Sequence, residues 1–407
     1  MKSSSAAARA FLGGALAALF VGCSTGVASQ PVATRLTASS TPRSLPTRLP
    51  TPPSATPELT LVLDPADHLI GPADAPVNLI AYLDLQCRYC ASVALALREV
   101  QSFHPEDVAL VYRPYPMADD QGNAMQAAQT LEASARAGAF LPMFDLLTEN
   151  QSDWVDLSAE GFRVWAAAKA EGLGVDPDAF SQHLADPGIL AVIENAVAKA
   201  RQAGLPGSPV VYLNGNLFLP PPSVTNLEAS VRLELLAAAQ FESPPEMVID
   251  PTLEYLARLR FGEDEMIIQL FAALSPQAVN SFVFLSQHGW YDGSPVQRVL
   301  PGVLFETGDP TGTGLGGPGY NFATEVDSRL GFDRAGRVAM TSVGPGTNGS
   351  QFFITLAPLA ELDGSRTIFG QVLEGLEVAS HWEARDPLAD LLAPPPAVLY
   401  EVTIEVP

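Results

Sequence analysis

The chain has 407 residues, a length that suggests two to three domains. Hydrophobic residues make up 47% of it, which is enough to fill ordinary cores. The formal net charge of -23 argues against a protein that binds nucleic acid, because such binding needs a basic surface. We therefore expect a self-repelling, acidic surface and no nucleic-acid partner.

The N-terminus has the pattern of an export signal. Lys2 and Arg9 flank the start of an apolar run too short to span a bilayer, so residues 1–22 are predicted to be a signal peptide. The run ends in LFVGC at Cys23, and this end resembles a bacterial lipobox with Phe20 where leucine is usual. The resemblance implies a lipidated Cys23 and an extracytoplasmic body anchored to a membrane. The alternative is an ordinary secretory signal in which Cys23 has no role.

The cysteines indicate redox chemistry. The chain has three of them, Cys23, Cys87 and Cys90. If Cys23 carries lipid, the other two form one C-x-x-C pair and none is left for a structural disulfide framework. In an exported protein, one close pair favours thiol exchange over stabilisation of the fold.

Residues 59–242 have the pattern of an α/β domain. The preceding residues, 23–58, are rich in serine, threonine and proline, which predicts a disordered or extended linker. Residues 124–203 have alanine-rich helical periodicity, and a closing helix is predicted at Val224–Phe241. Apolar, strand-like runs surround the helical segment: Leu59–Leu63, Val77–Leu83, Val108–Tyr112 and Val210–Leu213. This order predicts strands with a helical insertion.

Three blocks of this domain carry a family likeness: GPADAPVNLIAYLDLQCRYC at 71–90, VYRPYP at 111–116 and GSPVVYLNG at 207–215. Together they resemble the DsbA-like branch of the thioredoxin superfamily. The resemblance implies that Cys87 is the exposed nucleophile, Cys90 its buried partner and Pro209 a cis-proline that faces a client peptide. A cysteine that opens a helix has its thiolate stabilised by the first-turn N–H groups, and Arg88 is expected to add to this effect.

The thiol site departs from the family pattern at one position. The buried acid that usually lies six residues before the first cysteine is Ala81 here, and Asp84 is expected to replace it only in part as a proton relay. A zinc site would need two further soft ligands, which the spacing of the histidines does not offer, so no metal or cofactor is expected. An idle, permanently oxidised pair is an alternative that stays open.

Residues 245–407 have a different pattern, in which short strands alternate with glycine turns. Strand-like runs at Leu253–Arg260 and Met266–Leu270 flank a tight turn, and a helix is predicted at Gln277–Gln287. The rest is typical of a mainly-β closed barrel with capping helices.

Four blocks stand out in this second domain: QRVLPG at 297–302, GTNGSQFFI at 346–354, LDG at 362–364 and IFG at 368–370. Together they resemble the cyclophilins, a family of peptidyl-prolyl cis-trans isomerases. The resemblance implies that Arg298 is the catalytic arginine and that Gln351 holds the substrate backbone. It also implies an apolar proline pocket lined by three side chains: Phe353, Met340 and Leu362.

Several substrate-binding positions depart from the cyclophilin pattern. Val303 replaces a phenylalanine, which loosens the pocket. Glu306 replaces a glutamine and places an acid near Arg298, where it either orients the guanidinium or neutralises it. Ser342 replaces an asparagine that acts through its main chain, and Arg366 replaces a histidine but can still donate hydrogen bonds.

The segment GTGLGG at 312–317 satisfies the dinucleotide-binding pattern G-x-G-x-x-G. That pattern has meaning only between the strand and the helix of a βαβ unit. Here Pro310 precedes the segment and Pro318 follows it, so no helix starts and nucleotide binding is not expected.

These features predict an extracytoplasmic protein-folding factor with two chemistries. The second domain would isomerise X–Pro bonds in exported polypeptides. The first would exchange disulfides in cysteine-containing clients and would need a redox partner protein. Two alternatives stay open: a module that binds proline-containing peptides without turning them over, and a thiol-disulfide oxidoreductase whose barrel only recruits such clients.

Overall fold

The structure, a computed structural model, describes residues 67–117 and 122–407. The predicted signal peptide, the linker, Cys23 and the strand at Leu59–Leu63 lie outside these residues. In the part of the chain that is described, no helix is long and apolar enough to cross a membrane.

In the described part of the first domain, five strands form a mixed sheet: β1 (His68–Ile70), β2 (Val77–Leu83), β3 (Val108–Pro114), β4 (Val210–Leu213) and β5 (Asn216–Leu217). Their order is β1-β3-β2-β4-β5, with β2 and β3 parallel and the other neighbours antiparallel. Both β2 and β3 are buried along almost their whole length, as expected of apolar runs in the centre of a sheet. The strands predicted at Val77–Leu83 and Val210–Leu213 are confirmed.

Within the described residues of this domain, eight helices accompany the sheet: α1 (Arg88–Phe103), α2 (Ala124–Arg136), α3 (Phe140–Glu149), α4 (Gln151–Trp154), α5 (Ala159–Gly172), α6 (Pro177–Leu184), α7 (Pro187–Gln202) and α8 (Val224–Ala237). Helices α2 to α7 form the predicted helical insertion between β3 and β4. Several helices begin where a serine or aspartate side chain accepts a first-turn N–H, as Ser223 does for α8. The closing helix ends at Ala237, short of the predicted end at Phe241.

The second domain contains ten strands: β6 (Tyr255–Phe261), β7 (Asp264–Leu270), β8 (Ser294–Pro295), β9 (Arg298–Leu300), β10 (Leu304–Thr307), β11 (Arg337–Met340), β12 (Phe352–Thr355), β13 (Ile368–Glu374), β14 (Val398–Leu399) and β15 (Glu401–Glu405). Its helices are α9 (Pro276–Gln287) and α10 (Pro387–Asp390), and its 3-10 turns are Ala360–Leu362 and Leu376–His381. The predicted hairpin and the predicted helix at Gln277–Gln287 are confirmed, with ends shifted by at most two residues.

Eight of these strands form one sheet in the order β15-β6-β7-β13-β11-β12-β10-β9. The domain is therefore mainly β, as predicted. Within the described residues, however, the end strands β15 and β9 do not pair with each other, so the structure shows an open sheet and not the predicted closed barrel. Burial alternates along β6, and its odd-numbered residues are the buried ones. One face of the sheet therefore lies against a core.

Each domain has a hydrophobic core of its own. The core of the first domain joins β2, β3 and the helical insertion, while that of the second joins the eight-stranded sheet to α9. A smaller cluster on the second domain surrounds Phe353 and is separate from the main core. The described residues all belong to one compact unit, 55–407.

Candidate active sites

Three predicted isomerase residues lie side by side because of strand register. Arg298 on β9 is paired with Glu306 on β10, which is paired with Phe353 on β12. Phe353 is in turn paired with Ala339 on β11. Directly paired residues project from the same face of a sheet, so the arginine, the acid and the aromatic ring form one row.

An apolar cluster surrounds Phe353, which is 3% exposed. Its ring stacks on that of Phe332 with centroids 5.7 Å apart. Leu362, predicted as a wall of the pocket, and Leu304, which the sequence reasoning missed, pack against the same cluster. Val303 lies at the start of β10 and is 37% exposed, in keeping with a loosened rim.

The structure places Met340 away from this cluster, and its predicted role as a pocket wall is corrected. Met340 is fully buried in the main core of the second domain. Its register partner on β12 is Phe352, while its neighbour Ala339 pairs with Phe353. Successive residues of a strand point to opposite faces, so Met340 and Phe353 lie on opposite sides of the sheet. Leu304 occupies the place that was assigned to Met340.

Two carboxylates flank the guanidinium of Arg298, whose side chain is 34% exposed. Nη1 lies 3.6 Å from Glu306 Oε2, and Nη2 lies 3.8 Å from Asp386 Oδ1. Burial raises the pKa of Glu306, whereas the charges of Arg298 and Arg366 oppose that shift and Asp386 adds to it. Asp386 was missed because it is 88 residues away in sequence and no block of the motif contains it.

Ser342 and Arg366 form one hydrogen-bonded unit. Arg366 Nη1 donates to the backbone oxygen of Ser342 at 2.6 Å and to its hydroxyl at 2.7 Å. The serine is 8% exposed and the arginine is half-buried. The two positions that depart from the family pattern therefore contact each other directly.

Gln351 has a fixed orientation. Its Nε2 donates to the backbone oxygens of Gly314 and Gly316 at 3.1 and 2.8 Å. Its Oε1 accepts a hydrogen bond from Gln297 Nε2 at 2.9 Å. Both amide hydrogens are thus used, and one lone pair on Oε1 is left to accept a hydrogen bond from a ligand.

The raised pKa of Glu306 leads to a prediction about stability. Because the pKa of Glu306 is higher in the folded chain than in the unfolded chain, the ionised carboxylate destabilises the fold. Below the pKa that Glu306 has in the unfolded chain this destabilisation is absent, and it grows as pH rises through the pKa of the folded chain. We expect Glu306→Gln to be more stable than the wild type at pH 7, by about 1.4 kcal/mol for each unit by which the pKa is raised. Urea denaturation of both proteins from pH 4 to pH 8 measures this, and a difference that does not shrink toward pH 4 would contradict it.

At the thiol site, Cys87 is the N-cap residue of α1, as the motif predicts. Its backbone is extended, and its Sγ accepts the N–H of Cys90 at 3.3 Å. No acidic residue occupies the first turn of α1. The helix therefore presents donors and the positive end of its dipole to the Cys87 sulfur. Both thiols are free in this structure.

Cys90 is fully buried, also as predicted. Burial raises the pKa of its thiol to about 12, opposed by hydrogen bonds from the backbone of Asp84 and the side chain of Ser208. Ser208 precedes Pro209, and the peptide bond between them is cis. The predicted cis-proline segment therefore lies beside the cysteine pair.

The surroundings of the pair differ from the expected ones in two respects. The carboxylate of Asp84 accepts backbone N–H groups from Gln86 and Met117, both at 2.9 Å, so it stabilises the turn before Cys87. Arg88 points its exposed guanidinium to Asp156, 3.7 Å away, rather than being held at the sulfur.

The helical insertion holds the turn that carries Cys87. Gln151 Nε2 donates to the oxygen of Leu85 at 2.7 Å, and Gln86 Oε1 accepts the N–H of Ala124 at 2.7 Å. Gln151 lies outside the three blocks that carry the family likeness, and Gln86, although inside the block at 71–90, was assigned no role, so the sequence alone did not reveal these two contacts.

Comparison with known families matches both domains. A family model described as cyclophilin type peptidyl-prolyl cis-trans isomerase/CLD matches residues 256–396. A family model described as thioredoxin matches residues 63–232.

Several curated isomerases are similar to part of the chain. Peptidyl-prolyl cis-trans isomerase-like 1 of Gibberella zeae is 44% identical over 114 residues, which cover 27% of this chain and 70% of that protein. Peptidyl-prolyl cis-trans isomerase ppi1 of Schizosaccharomyces pombe is 45% identical over 117 residues, which cover 28% of this chain and 76% of that protein. Peptidyl-prolyl cis-trans isomerase B of Streptomyces anulatus is 42% identical over 131 residues, which cover 28% of this chain and 75% of that protein.

Proposed function

The chain belongs to the cyclophilin-type peptidyl-prolyl cis-trans isomerase family, and from this premise we propose that Arg298, Gln351 and Phe353 isomerise X–Pro bonds in exported polypeptides. Its first domain is thioredoxin-like. The observation that carries the proposal is the row formed by Arg298, Glu306 and Phe353, which sets a cation at the edge of an apolar pocket.

The chemistry of this row suits rotation about a prolyl bond. Amide resonance sets a barrier of about 20 kcal/mol. In the twisted state the prolyl nitrogen leaves conjugation and gains a lone pair, so a fixed N–H donor beside it lowers the barrier. Arg298 supplies that donor, the cluster around Phe353 holds the proline ring, and the remaining lone pair of Gln351 Oε1 accepts a backbone N–H of the client.

Glu306 tunes this donor without removing it. Its distance of 3.6 Å from Arg298 exceeds that of a charge-assisted hydrogen bond, and the same holds for Asp386 at 3.8 Å. The two acids attract the guanidinium but do not bond it, so it can turn toward a client at little energetic cost. Glu306 is therefore proposed to orient Arg298 rather than to neutralise it.

The test of isomerase function is the cis-to-trans relaxation of a short X–Pro peptide in the presence of the full chain. We expect acceleration in proportion to protein concentration, and none with Arg298→Ala. A folded wild-type chain that binds the peptide without accelerating its relaxation would favour the alternative of a peptide-binding module.

For the first domain we propose thiol–disulfide exchange with cysteine-containing clients. When the pair reduces a client, the Cys87 thiolate attacks the client disulfide and forms a mixed disulfide, and the released client thiolate takes up a proton. Cys90 then loses its proton and attacks the Cys87 sulfur, which releases the second client thiolate and leaves a Cys87–Cys90 disulfide. Two electrons pass from the pair to the client, and oxidation of a client is the reverse.

The supporting geometry is the contrast between the two sulfurs. Cys87 is half-buried at the N-cap of α1, while Cys90 is buried with a pKa of about 12. Cys87 is thus the sulfur that a client reaches first. Cys90 reacts only within the mixed disulfide, where the two sulfurs are neighbours. A redox partner protein is needed to reset the pair after each turnover.

We also propose that the chain is exported and held at a membrane through lipid on Cys23, as the lipobox-like end of residues 1–22 indicates. A bacterial host that processes lipoproteins, grown with radiolabelled palmitate, is expected to label the wild type and send it to the detergent phase on partition. Cys23→Ala is expected to lose both properties. Cys87→Ala is the matched control, and labelling that persists in Cys23→Ala would contradict the proposal.

A further inference from the structure

The first domain contacts the second domain next to Gln351. We define residues 228–241, from α8 and its extension, as the anchor segment, and residues 311–319 as the glycine-rich loop. Three hydrogen bonds join them: Arg232 Nη1 to Thr311 O at 3.2 Å, Gln240 Nε2 to Gly317 O at 2.8 Å, and Phe241 N to Pro318 O at 2.9 Å.

The anchor segment is itself held firmly. Arg232 Nε donates to Glu228 at 2.6 Å, and this carboxylate is only 2% exposed. On its other side Glu228 lies 3.0 Å from His104 Nε2, at the end of α1. At the far end of the segment, the ring of Phe241 packs on Phe284 in the second domain with centroids 5.0 Å apart. Arg232 therefore contacts the loop from a fixed, partly buried position.

Two glycines of the glycine-rich loop are needed because other atoms approach their Cα atoms closely. A Cβ at Gly319 would lie 2.4 Å from the backbone oxygen of Phe241, so a side chain there would push the anchor segment away. A Cβ at Gly316 would lie 2.1 Å from the carboxylate of the buried Asp309. Gly319 thus serves the close contact between the domains, and Gly316 serves packing around Asp309.

Asp309 shapes the centre of the loop. Its carboxylate accepts hydrogen bonds from both backbone and side-chain donors: Thr311 N, Thr311 Oγ1, Thr313 Oγ1, Gly314 N and Gly316 N, all within 3.2 Å. With their N–H groups bound to Asp309, Gly314 and Gly316 turn their carbonyl oxygens to Gln351 Nε2. The loop is therefore tied to the first domain near both ends and to Gln351 at its centre.

We propose that the anchor segment is a positioning element of the isomerase site, with Arg232 as its positioning residue. By fixing Thr311, Arg232 keeps Gly314 and Gly316 where they orient the amide of Gln351. The inference rests on the proposed function, because the orientation of Gln351 affects catalysis only if a client binds there. It gives the thioredoxin-like domain a role in the isomerase reaction that does not involve the cysteines.

The test compares Arg232→Ala with wild type in the full chain. Loss of one hydrogen bond of about 1 kcal/mol corresponds to about a fivefold effect, so we expect KM for an X–Pro peptide to rise about fivefold with a smaller change in kcat. Arg163→Ala removes a cation from an exposed ion pair with Glu160 on α5 and is the matched control. Arg232→Lys, which can still donate one hydrogen bond, is expected to recover part of the effect.

A double-mutant cycle separates positioning from a general loss of stability. If Arg232 acts through Gln351, Arg232→Ala should have no further effect on KM in a Gln351→Ala background. Hydrogen exchange of the peptide that covers residues 309–317 gives a readout without catalysis, and exchange there is expected to be faster in Arg232→Ala than in Arg163→Ala.

The outcomes distinguish the two proposals. Unchanged KM and unchanged hydrogen exchange in Arg232→Ala would overturn the positioning role. The isomerase function would be unaffected by that result, because it is tested by comparing the activity of the wild type with that of Arg298→Ala. If the wild type binds the peptide without turnover, the Kd of Arg232→Ala for the peptide is compared with that of the wild type. A fivefold loss of affinity would then support the positioning role, even though the proposed isomerase function had failed. A folded chain that neither binds nor isomerises the peptide would overturn both.

Discussion

Replacement of Arg298 by alanine is expected to lower kcat/KM for an X–Pro peptide about 100-fold or more. This is the range found when one preorganised donor is removed from a developing charge. Arg298 begins β9 at the edge of the Phe353 cluster, and Arg366, the other cation whose charge acts on Glu306, is already bonded to Ser342. The measurement is the relaxation rate of the peptide with the full chain at several protein concentrations.

Two further variants make the Arg298 result interpretable. Arg260→Ala removes an arginine of the same domain from an exposed ion pair with Glu401, and such pairs contribute about 0–1 kcal/mol to stability, so near wild-type activity is expected. Removal of Arg298 also leaves the carboxylate of Glu306 without its nearest cation, which could destabilise the fold. The double variant Arg298→Ala/Glu306→Gln removes this unpaired charge and is therefore the second control. Activity within twofold of wild type in that folded double variant would show that Arg298 is not catalytic.

Replacement of Cys87 by serine is expected to reduce disulfide exchange with insulin to the rate of the chemical reductant alone. Cys87 is half-buried at the N-cap of α1 and is the sulfur that a client can reach, and a serine hydroxyl in its place cannot form the mixed disulfide. Cys23→Ala is the control and should keep full activity. Exchange at the wild-type rate by Cys87→Ser would remove Cys87 as the nucleophile.

The companion variant Cys90→Ser is expected to stop the reaction halfway. Because Cys90 resolves the mixed disulfide, its loss should trap a client joined to Cys87, visible as a reductant-sensitive band on a gel. Trapping by Cys87→Ser and not by Cys90→Ser would mean that the two cysteines have the opposite roles, against the burial of Cys90.

Most of the thiol site was predicted from the resemblance that the block at 71–90 carries. That resemblance implied that Cys87 opens a helix and that Cys90 is buried, and the structure has Cys87 at the N-cap of α1 and Cys90 buried. The supporting glutamines, Gln86 and Gln151, could not be found in this way. They act across 38 and 66 residues of chain, and a single glutamine has no local pattern.

The isomerase site shows where motif reasoning failed. Met340 ends β11 directly after Ala339, which shares a face with Phe353, and a strand alternates its faces at every residue. Only the register of β11 against β12 shows that Ala339, and not Met340, shares a face with Phe353. Leu304 was missed for the same reason, since its position opposite Thr355 depends on pairing with a strand far along the chain.

By itself the sequence predicted the two domain types, most of the described strands and helices, and the residues that are proposed to react, Cys87 and Arg298. The strands and helices follow from periodicity, while the domain types and the proposed reactive residues follow from resemblances that short motifs carry, where backbone geometry is local. Only the tertiary structure decided which face Met340 takes, that Asp386 flanks Arg298, and that the glycine-rich loop receives Arg232. Each of these depends on strand register or domain contact between segments distant in sequence, and the free energy of such contacts is not encoded in any short pattern.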